Sequence, residues 1–398
     1  MGAVESTPVP ETRLDDVLVS PSLPDAVRAA LLAPMVDHHC HGVRRDDLSR
    51  SEFEMLITEA GTPAPPGTTH FDTPVGVAIR RWCAPVLDLE PHVPPAVYLS
   101  RRAELGAAEV NRRLLRAAGI AAFLVDTGLE SPELLSAAEM GRLGGAAADE
   151  IVRLEQVEQE VAEAGMPAVD YAGTLREELA ARAARAAGLK SIAAYRCGLG
   201  FDPSRPSRGA VIAAAGRRLA EPKERLTDPV LVRHLLWTAI DVARERSLPL
   251  QFHCGYGDTD LDLHRSDPAL LTGFIRAVAP SGVPVILLHC YPYHRQAAYL
   301  ANVFPHVYVD VGLALTYTAA GSVSVLRELL ELVPFHKQMF SSDCYGVGEL
   351  CLLGAVYHRR GLARVLADRL GEGEWSPADA ARIAHMIGSG NARRVYRL

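Results

Sequence analysis

Cysteine is scarce in this chain: seven residues in 398, an odd number spread along the whole length. That gives no disulfide framework, and a reducing compartment is expected. Long apolar runs are also missing; no stretch approaches the ~18–20 residues needed to span a bilayer. The first twelve positions hold Glu5 and Glu11 and no basic residue, and no apolar run follows. The start therefore does not read as a secretory leader, and a cytoplasmic location is expected. Gly2 with Ser6 matches the short myristoylation pattern, a pattern that recurs by chance, and no membrane partner is expected. Net charge is −7 and no Lys/Arg-rich run occurs, so nucleic acid is not an expected partner either.

Several familiar motifs are absent on inspection. Gly198-x-Gly200 is followed by Pro203 rather than a third glycine, so there is no dinucleotide fingerprint. The run Asp258-Thr259-Asp260-Leu261-Asp262 has Leu263 where a calcium loop needs glycine, and reads instead as a solvated or substrate-facing loop. Ser341 and Ser342 do not stand in a nucleophile elbow.

What the chain does contain is a series of short apolar runs that end in polar residues. They are Pro34–His39, Ile120–Asp126, Glu150–Glu155, Leu189–Tyr195, Leu248–His253, Pro284–His289, Val307–Gly312 and Gln338–Asp343. Helix-like segments separate most of them. Near-continuous apolar strands alternating with helices predict a parallel sheet covered on both faces. Eight units predict an α/β fold of the (β/α)₈ TIM-barrel type, with helical insertions after strands 1 and 4. A polar lead-in over 1–33, with a short helix at Pro24–Leu32, precedes a barrel over 34–398 whose long connection at about 42–119 is expected to carry function or an interface.

In such barrels the C-terminal strand ends form the active-site face. Strand 1 ends in Asp37-His38-His39-Cys40-His41, where period-two alternation sends His39 and His41 the same way. His253 ends strand 5, His289 strand 6 and Asp343 strand 8. One strand-end histidine is commonplace, but four histidines and an aspartate at one end of a barrel predict a metal site. Lys190 on strand 4 must find a partner or lose its charge; beside metals it can carry a bridging carbamate, and otherwise it makes an ion pair. Cys40, Cys254, Cys290 and Cys344, each next to a proposed ligand, are expected to turn toward the covering helices as small buried side chains. Arg196, just past strand 4, is a candidate clamp for a substrate carboxylate, and Tyr291, Tyr293 and Arg295 after strand 6 are candidate pocket residues.

These residues resemble the metal-site pattern of the amidohydrolase superfamily: Asp-x-His-x-His on strand 1, then Lys, His, His and Asp on strands 4, 5, 6 and 8. The chain is most similar to the amidohydrolase-2 branch, and within it to the amidohydrolase domain joined to glutamine-synthetase-like domains in FluG- and nodulin-type proteins. Stretches carrying the similarity include Leu124–Leu129, Lys190–Arg196, Pro249–His253, Leu288–Tyr293, Tyr308–Leu313, Ser341–Asp343 and Asn391–Tyr396. The resemblance implies a metal-dependent hydrolase of a carboxamide-type C–N bond, acting on a small molecule such as a γ-glutamyl or other amino-acid amide. It implies one or two zinc ions, two being favoured: His39, His41 and Asp343 on one, His253 and His289 on the other, and carboxylated Lys190 between them. Asp343 would move the proton, His289 would polarise the carbonyl if only one ion binds, and Tyr195, placed as in hydantoinase-type relatives, would meet the substrate carbonyl. A homo-oligomer and a functional link to a glutamine-synthetase-like enzyme are further expectations. The rival readings are a metal-dependent decarboxylase of the same branch and an inactive scaffold.

Overall fold

The computed structural model describes residues 17–129 and 131–398. The Gly2/Ser6 pattern and the first half of the lead-in fall outside the described residues. The lead-in helix forms at Asp25–Leu32.

Seven strands follow in order: β1 Met35–Cys40, β2 Ile120–Asp126, β3 Ala147–Arg153, β4 Gly188–Ser191, β5 Leu250–Cys254, β6 Val285–His289 and β7 Val307–Val309. Each pairs in parallel with the next, giving one sheet in sequence order. The predicted eighth run is not a regular strand. It nonetheless connects the two sheet edges: Met339 N–H donates to Val309 O at 3.1 Å, and Phe340 O accepts from His38 N–H at 3.2 Å. The result is a curled α/β sheet consistent with a TIM-type barrel. Strands β1, β5 and β6 are buried along their whole length, as expected when both faces of a parallel sheet are covered.

Strand boundaries differ from the prediction where local signals compete. β3 starts at Ala147 and stops at Arg153, so Glu155 begins the next helix, Leu154–Ala164, rather than ending a strand. β4 stops at Ser191 and Tyr195 lies on a following 3₁₀ turn. Gly312 opens a helix, Gly312–Thr318. The connection between β1 and β2 is largely helical, with helices Arg50–Met55, Pro95–Leu105 and Ala107–Ala117; Ser49 and Glu52 cap the first of these reciprocally. Helices Arg208–Ala220 and Pro229–Arg246 lie between β4 and β5.

The apolar core has two parts. A large one fills the space between strands and helices. A smaller one, built on Val36, Leu124, Ile151, Ile286 and Leu288, packs with Met339 and is plugged by Ala392, Val395 and Tyr396 of the last helix, Asn391–Tyr396. Cys40, Cys254, Cys290 and Cys344 are buried, free thiols in the outer core. No helix among the described residues is long and apolar enough to cross a membrane.

A candidate metal centre at the strand ends

Strand β1 carries an irregularity that shapes the site. From Asp37 to Cys40 it advances three residues while its partner advances two, Phe123 to Val125. The extra residue is a β-bulge, which breaks strict alternation. His38 and His39 therefore both serve the interior, at different depths.

His38 belongs to a buried polar layer. Its Nδ1 lies 3.0 Å from the Tyr396 hydroxyl and its Nε2 2.8 Å from Asp310 Oδ2. Gln251 donates to the Tyr396 oxygen at 2.7 Å and to the His38 carbonyl at 2.9 Å. Asp310 also accepts from the His289 N–H at 2.7 Å and from the Ser341 hydroxyl at 2.8 Å. Burial alone would raise the Asp310 pKa, but these donors outweigh it and hold it down at about 2. Ser342 is likewise committed, donating its N–H to Asp37 at 2.9 Å.

Above this layer the donors converge. Gln251 spends its amide N–H groups on His38 O and Tyr396, so its Oε1 faces His39 Nδ1 at 3.0 Å and must accept. His39 therefore holds its proton on Nδ1. The same logic fixes His41, whose Nδ1 lies 3.2 Å from the Asp126 carbonyl, an obligate acceptor. Both Nε2 lone pairs are left aimed at Asp343 Oδ1, at 3.1 Å from His39 and 3.5 Å from His41. These three ligand atoms lie within 4.8 Å of one another. Burial, then the Lys190 charge, pushes His39 down to about 3, so a proton on His39 does not resolve the repulsion near neutral pH. A cation does, and the donor set of two imidazoles and a carboxylate suits zinc or a similar divalent ion.

His253 and His289 flank this cluster. Their ring centroids are 4.6 Å apart, and His289 is 5.5 Å from His39. His289 Nδ1 lies 3.5 Å from Asp343 Oδ2. The Nε2 atoms of both rings are buried without a hydrogen-bond partner among the described residues, an arrangement that marks an awaited ligand. Asp343 and His289 both sit in the left-handed backbone region, with φ of 50° and 67°. Such strain clusters at functional sites when surrounding bonds over-determine it; here Asp343 N–H is tied to His39 O at 3.1 Å.

Lys190 lies in the same cluster, its Nζ 3.4 Å from His39 Nε2. It also pairs with Asp126 Oδ2 at 3.0 Å, and Arg153 reaches the same oxygen at 2.8 Å. Burial lowers the Lys190 pKa, with Asp126 working against it. Asp126 and Arg153 were not singled out as site residues from sequence. The available signal was that Asp126 ends β2 just as the ligands end their strands.

A cavity of about 530 Å³ opens over the donors and includes His41, Lys190, His253, His289 and Asp343. Tyr195 and Arg196 line it, as do Asp258 and Thr259 of the acidic loop. The Tyr195 ring packs on His253 at 4.7 Å. Gly257 must stay bare there, because a Cβ would fall 2.1 Å from the Tyr195 hydroxyl. Arg196 Nε is buried without a hydrogen-bond partner among the described residues. Glu59, contributed by the β1–β2 connection, also lines the cavity, and burial with the facing Asp343 raises its carboxyl to about 7. Nothing in the local sequence marked Glu59, because only the path of that long connection brings it over the strand ends.

Tyr291, Tyr293 and Arg295 are placed differently from expectation, outside the walls of this cavity. Tyr291 stacks on His294 with centroids 5.7 Å apart. Arg295 turns to the surface and pairs with Glu328 at 2.9 Å and Glu331 at 3.6 Å. The helix starting at His294 carries it away from the strand end.

A region of 223 residues is 33% identical to protein fluG of Emericella nidulans, covering 53% of this chain and 25% of that protein. The chain thus matches about a quarter of its curated relative. The crystal structure of a candidate metal-dependent hydrolase from Lactobacillus casei superimposes with a TM-score of 0.83 at 26% identity, over 94% of this chain and 98% of the other. A uronate isomerase from Thermotoga maritima shares the fold, with a TM-score of 0.63 at 11% identity over 97% and 99% of the two chains. The amidohydrolase family profile matches residues 144–398, and the chain belongs to that family.

Proposed function

We propose that this protein is a metal-dependent hydrolase that cleaves a carboxamide-type C–N bond in a small anionic substrate, an amino-acid amide or γ-glutamyl amide being the favoured class. The observation that carries the reading is the convergence of the His39 and His41 Nε2 atoms on the Asp343 carboxylate. His39, His41 and Asp343 would hold the ion, with His253 and His289 beside it. When bound, a divalent ion such as zinc supplies Lewis-acid polarisation of a carbonyl and an acidified water. Asp343 would serve as the carboxylate that takes up a proton and returns it to the leaving nitrogen. Tyr195 can donate a hydrogen bond to the carbonyl oxygen as charge develops there. Arg196, whose guanidinium Nε has no hydrogen bond among the described residues, can hold the substrate carboxylate. The cavity volume of about 530 Å³ suits a metabolite-sized substrate.

The Lys190–Asp126 pair supports a single ion with an uncarboxylated lysine. The two-ion arrangement requires the Lys190 carbamate instead. A one-ion centre with a free lysine also suits the second reading, a metal-dependent decarboxylase. Three measurements separate the readings: metal content per chain, the intact mass under CO₂, and a screen of γ-glutamyl and N-acyl amino-acid amides run beside a carboxylate panel. Ammonia or amine release supports hydrolysis. Exclusive CO₂ release would move the assignment to the decarboxylase. In the hydrolase reading, Arg196→Gln raises KM more than it lowers kcat, because the contact is already made in the ground state.

A further inference from the structure

A second cavity, of about 800 Å³, lies between the segment 72–82, the start of helix Ser322–Leu330 and helix Gly348–Gly371. Its walls are of two kinds. Pro74, Val77, Ala319, Ala320 and Val323 form an apolar side, and Val77 is 45% exposed there. The other side is cationic. Arg81 and Arg360 both stand over the Trp82 indole, with their Cζ atoms 4.9 Å and 4.8 Å from its centroid, and Arg364 joins them. Asp72 is the one acidic residue in these walls among the described residues.

This concentration of charge is unusual for the molecule. The chain carries a net charge of −7, and many of its surface arginines are paired, as in Arg45–Glu139, Arg205–Asp241 and Arg176–Glu245. No carboxylate among the described residues lies within ion-pair distance of Arg81, Arg360 or Arg364. Arg360 donates instead to the Val17 carbonyl. Burial, and then the neighbouring Arg364 charge, lowers its pKa. Three guanidiniums sharing one cavity with a single carboxylate, Asp72, leave an excess of positive charge, and an anion between them removes their repulsion.

We propose that this cavity binds a small phosphate monoester with an apolar body. A monoester carries about −1.5 to −2 charge near pH 7, which answers three guanidiniums better than a single carboxylate does. Planar arginine forks match phosphate oxygens, and the apolar wall takes the organic part. The site is placed to influence the reaction cavity. Helix Gly312–Thr318 gives Leu313 and Tyr317 to the barrel mouth, and its last residue, Thr318, to this second cavity. An occupant therefore presses on a helix that also walls the metal centre.

Calorimetry on the full chain, with phenyl phosphate, inorganic phosphate and benzoate as probes, tests the proposal. Phenyl phosphate is expected to bind most tightly and benzoate least. The Arg81→Gln/Arg364→Gln double variant, altered at the rim rather than the core, is expected to weaken phenyl phosphate about tenfold or more, as loss of charge-assisted bonds predicts. Arg196→Gln, at the barrel mouth, is expected to leave it unchanged. Hydrogen exchange is expected to slow across 312–323 and 357–364 on binding. Absence of binding overturns the proposal, as does affinity that is lost in Arg196→Gln but kept in the double variant. Equal affinity for benzoate and phenyl phosphate overturns the phosphate assignment.

Discussion

Two histidine-bearing layers lie one above the other in this barrel, and they are finished differently. In the lower, Gln251 donates to Tyr396, Tyr396 faces His38 Nδ1, and His38 Nε2 meets Asp310. In the upper, His39 and His41 each commit Nδ1 to an oxygen acceptor and turn Nε2 toward Asp343, with Lys190 beside His39, while His253 and His289 keep buried Nε2 atoms unpartnered among the described residues. A buried imidazole whose two nitrogens meet protein partners is a structural part. One with a lone pair left over, converging with others, marks a candidate binding site. Burial does not separate the two classes, since His38 and His39 are both fully buried; the state of the second nitrogen does.

The difference can be broken from either side. The largest expected effect is in the upper layer. Asp343→Asn removes the anionic donor and proton carrier, and should lower kcat by ~10³-fold or more with the far-UV spectrum unchanged and metal content reduced. Retained activity would dismiss Asp343 from the chemistry. In the lower layer the expected loss is stability. Asp310→Ala leaves His38, Ser341 and the His289 N–H without their acceptor, and should cost ~3 kcal/mol or more in urea unfolding, seen as a lower midpoint at constant slope.

Gln251 joins the layers, so Gln251→Ala should act on both. Loss of the bond that orients His39 should weaken metal binding ~10–100-fold, measured by competition with a chelator. Metal affinity equal to wild type would show that the lower layer does not orient the upper.

The acid wall gives a pH test. Glu59 is pushed up to about 7 from an ordinary value near 4.5, so the unfolded chain releases this proton first. Between these pH values the native state loses stability as pH rises, and the loss is complete above the folded value. Glu59→Gln should flatten that part of the stability–pH curve, and an unaltered slope would place Glu59 in water. The smallest effect belongs to Arg295→Gln. An exposed pair is worth ~0–1 kcal/mol, so unfolding should shift by less than that, and KM should stay the same because Arg295 lies outside the cavity.

Much of this architecture is legible in the amino-acid sequence. The eight apolar runs correspond to seven strands and one edge-joining segment, because strands buried on both faces have a continuous apolar signature. Runs that end by turning directly into a helix were overextended, as at Glu155 and Gly312, because a helix N-terminus can be as apolar as a strand. His39, His41, His253, His289 and Asp343 were legible as a group, since parallel strands in sequence order place all their C-terminal ends on one side. Glu59, and the pairing of Lys190 with Asp126 and Arg153, were not. Those contacts join side chains that are far apart in sequence, and no periodicity encodes the partner.

The amino-acid sequence by itself determined the order of strands, the side of the sheet on which polar groups collect and the chemical types available there. Periodicity and residue type are local, and hydrophobic burial reads them directly. The tertiary structure alone decided which histidine is closed and which is open. A bulge in β1 turns His38 and His39 both inward, and Gln251, more than two hundred residues away in the chain, sets the tautomer of His39. It also decided that Arg81 and Arg360 meet over one indole and that Arg364 lines the same cavity, because only packing brings like charges from distant segments together.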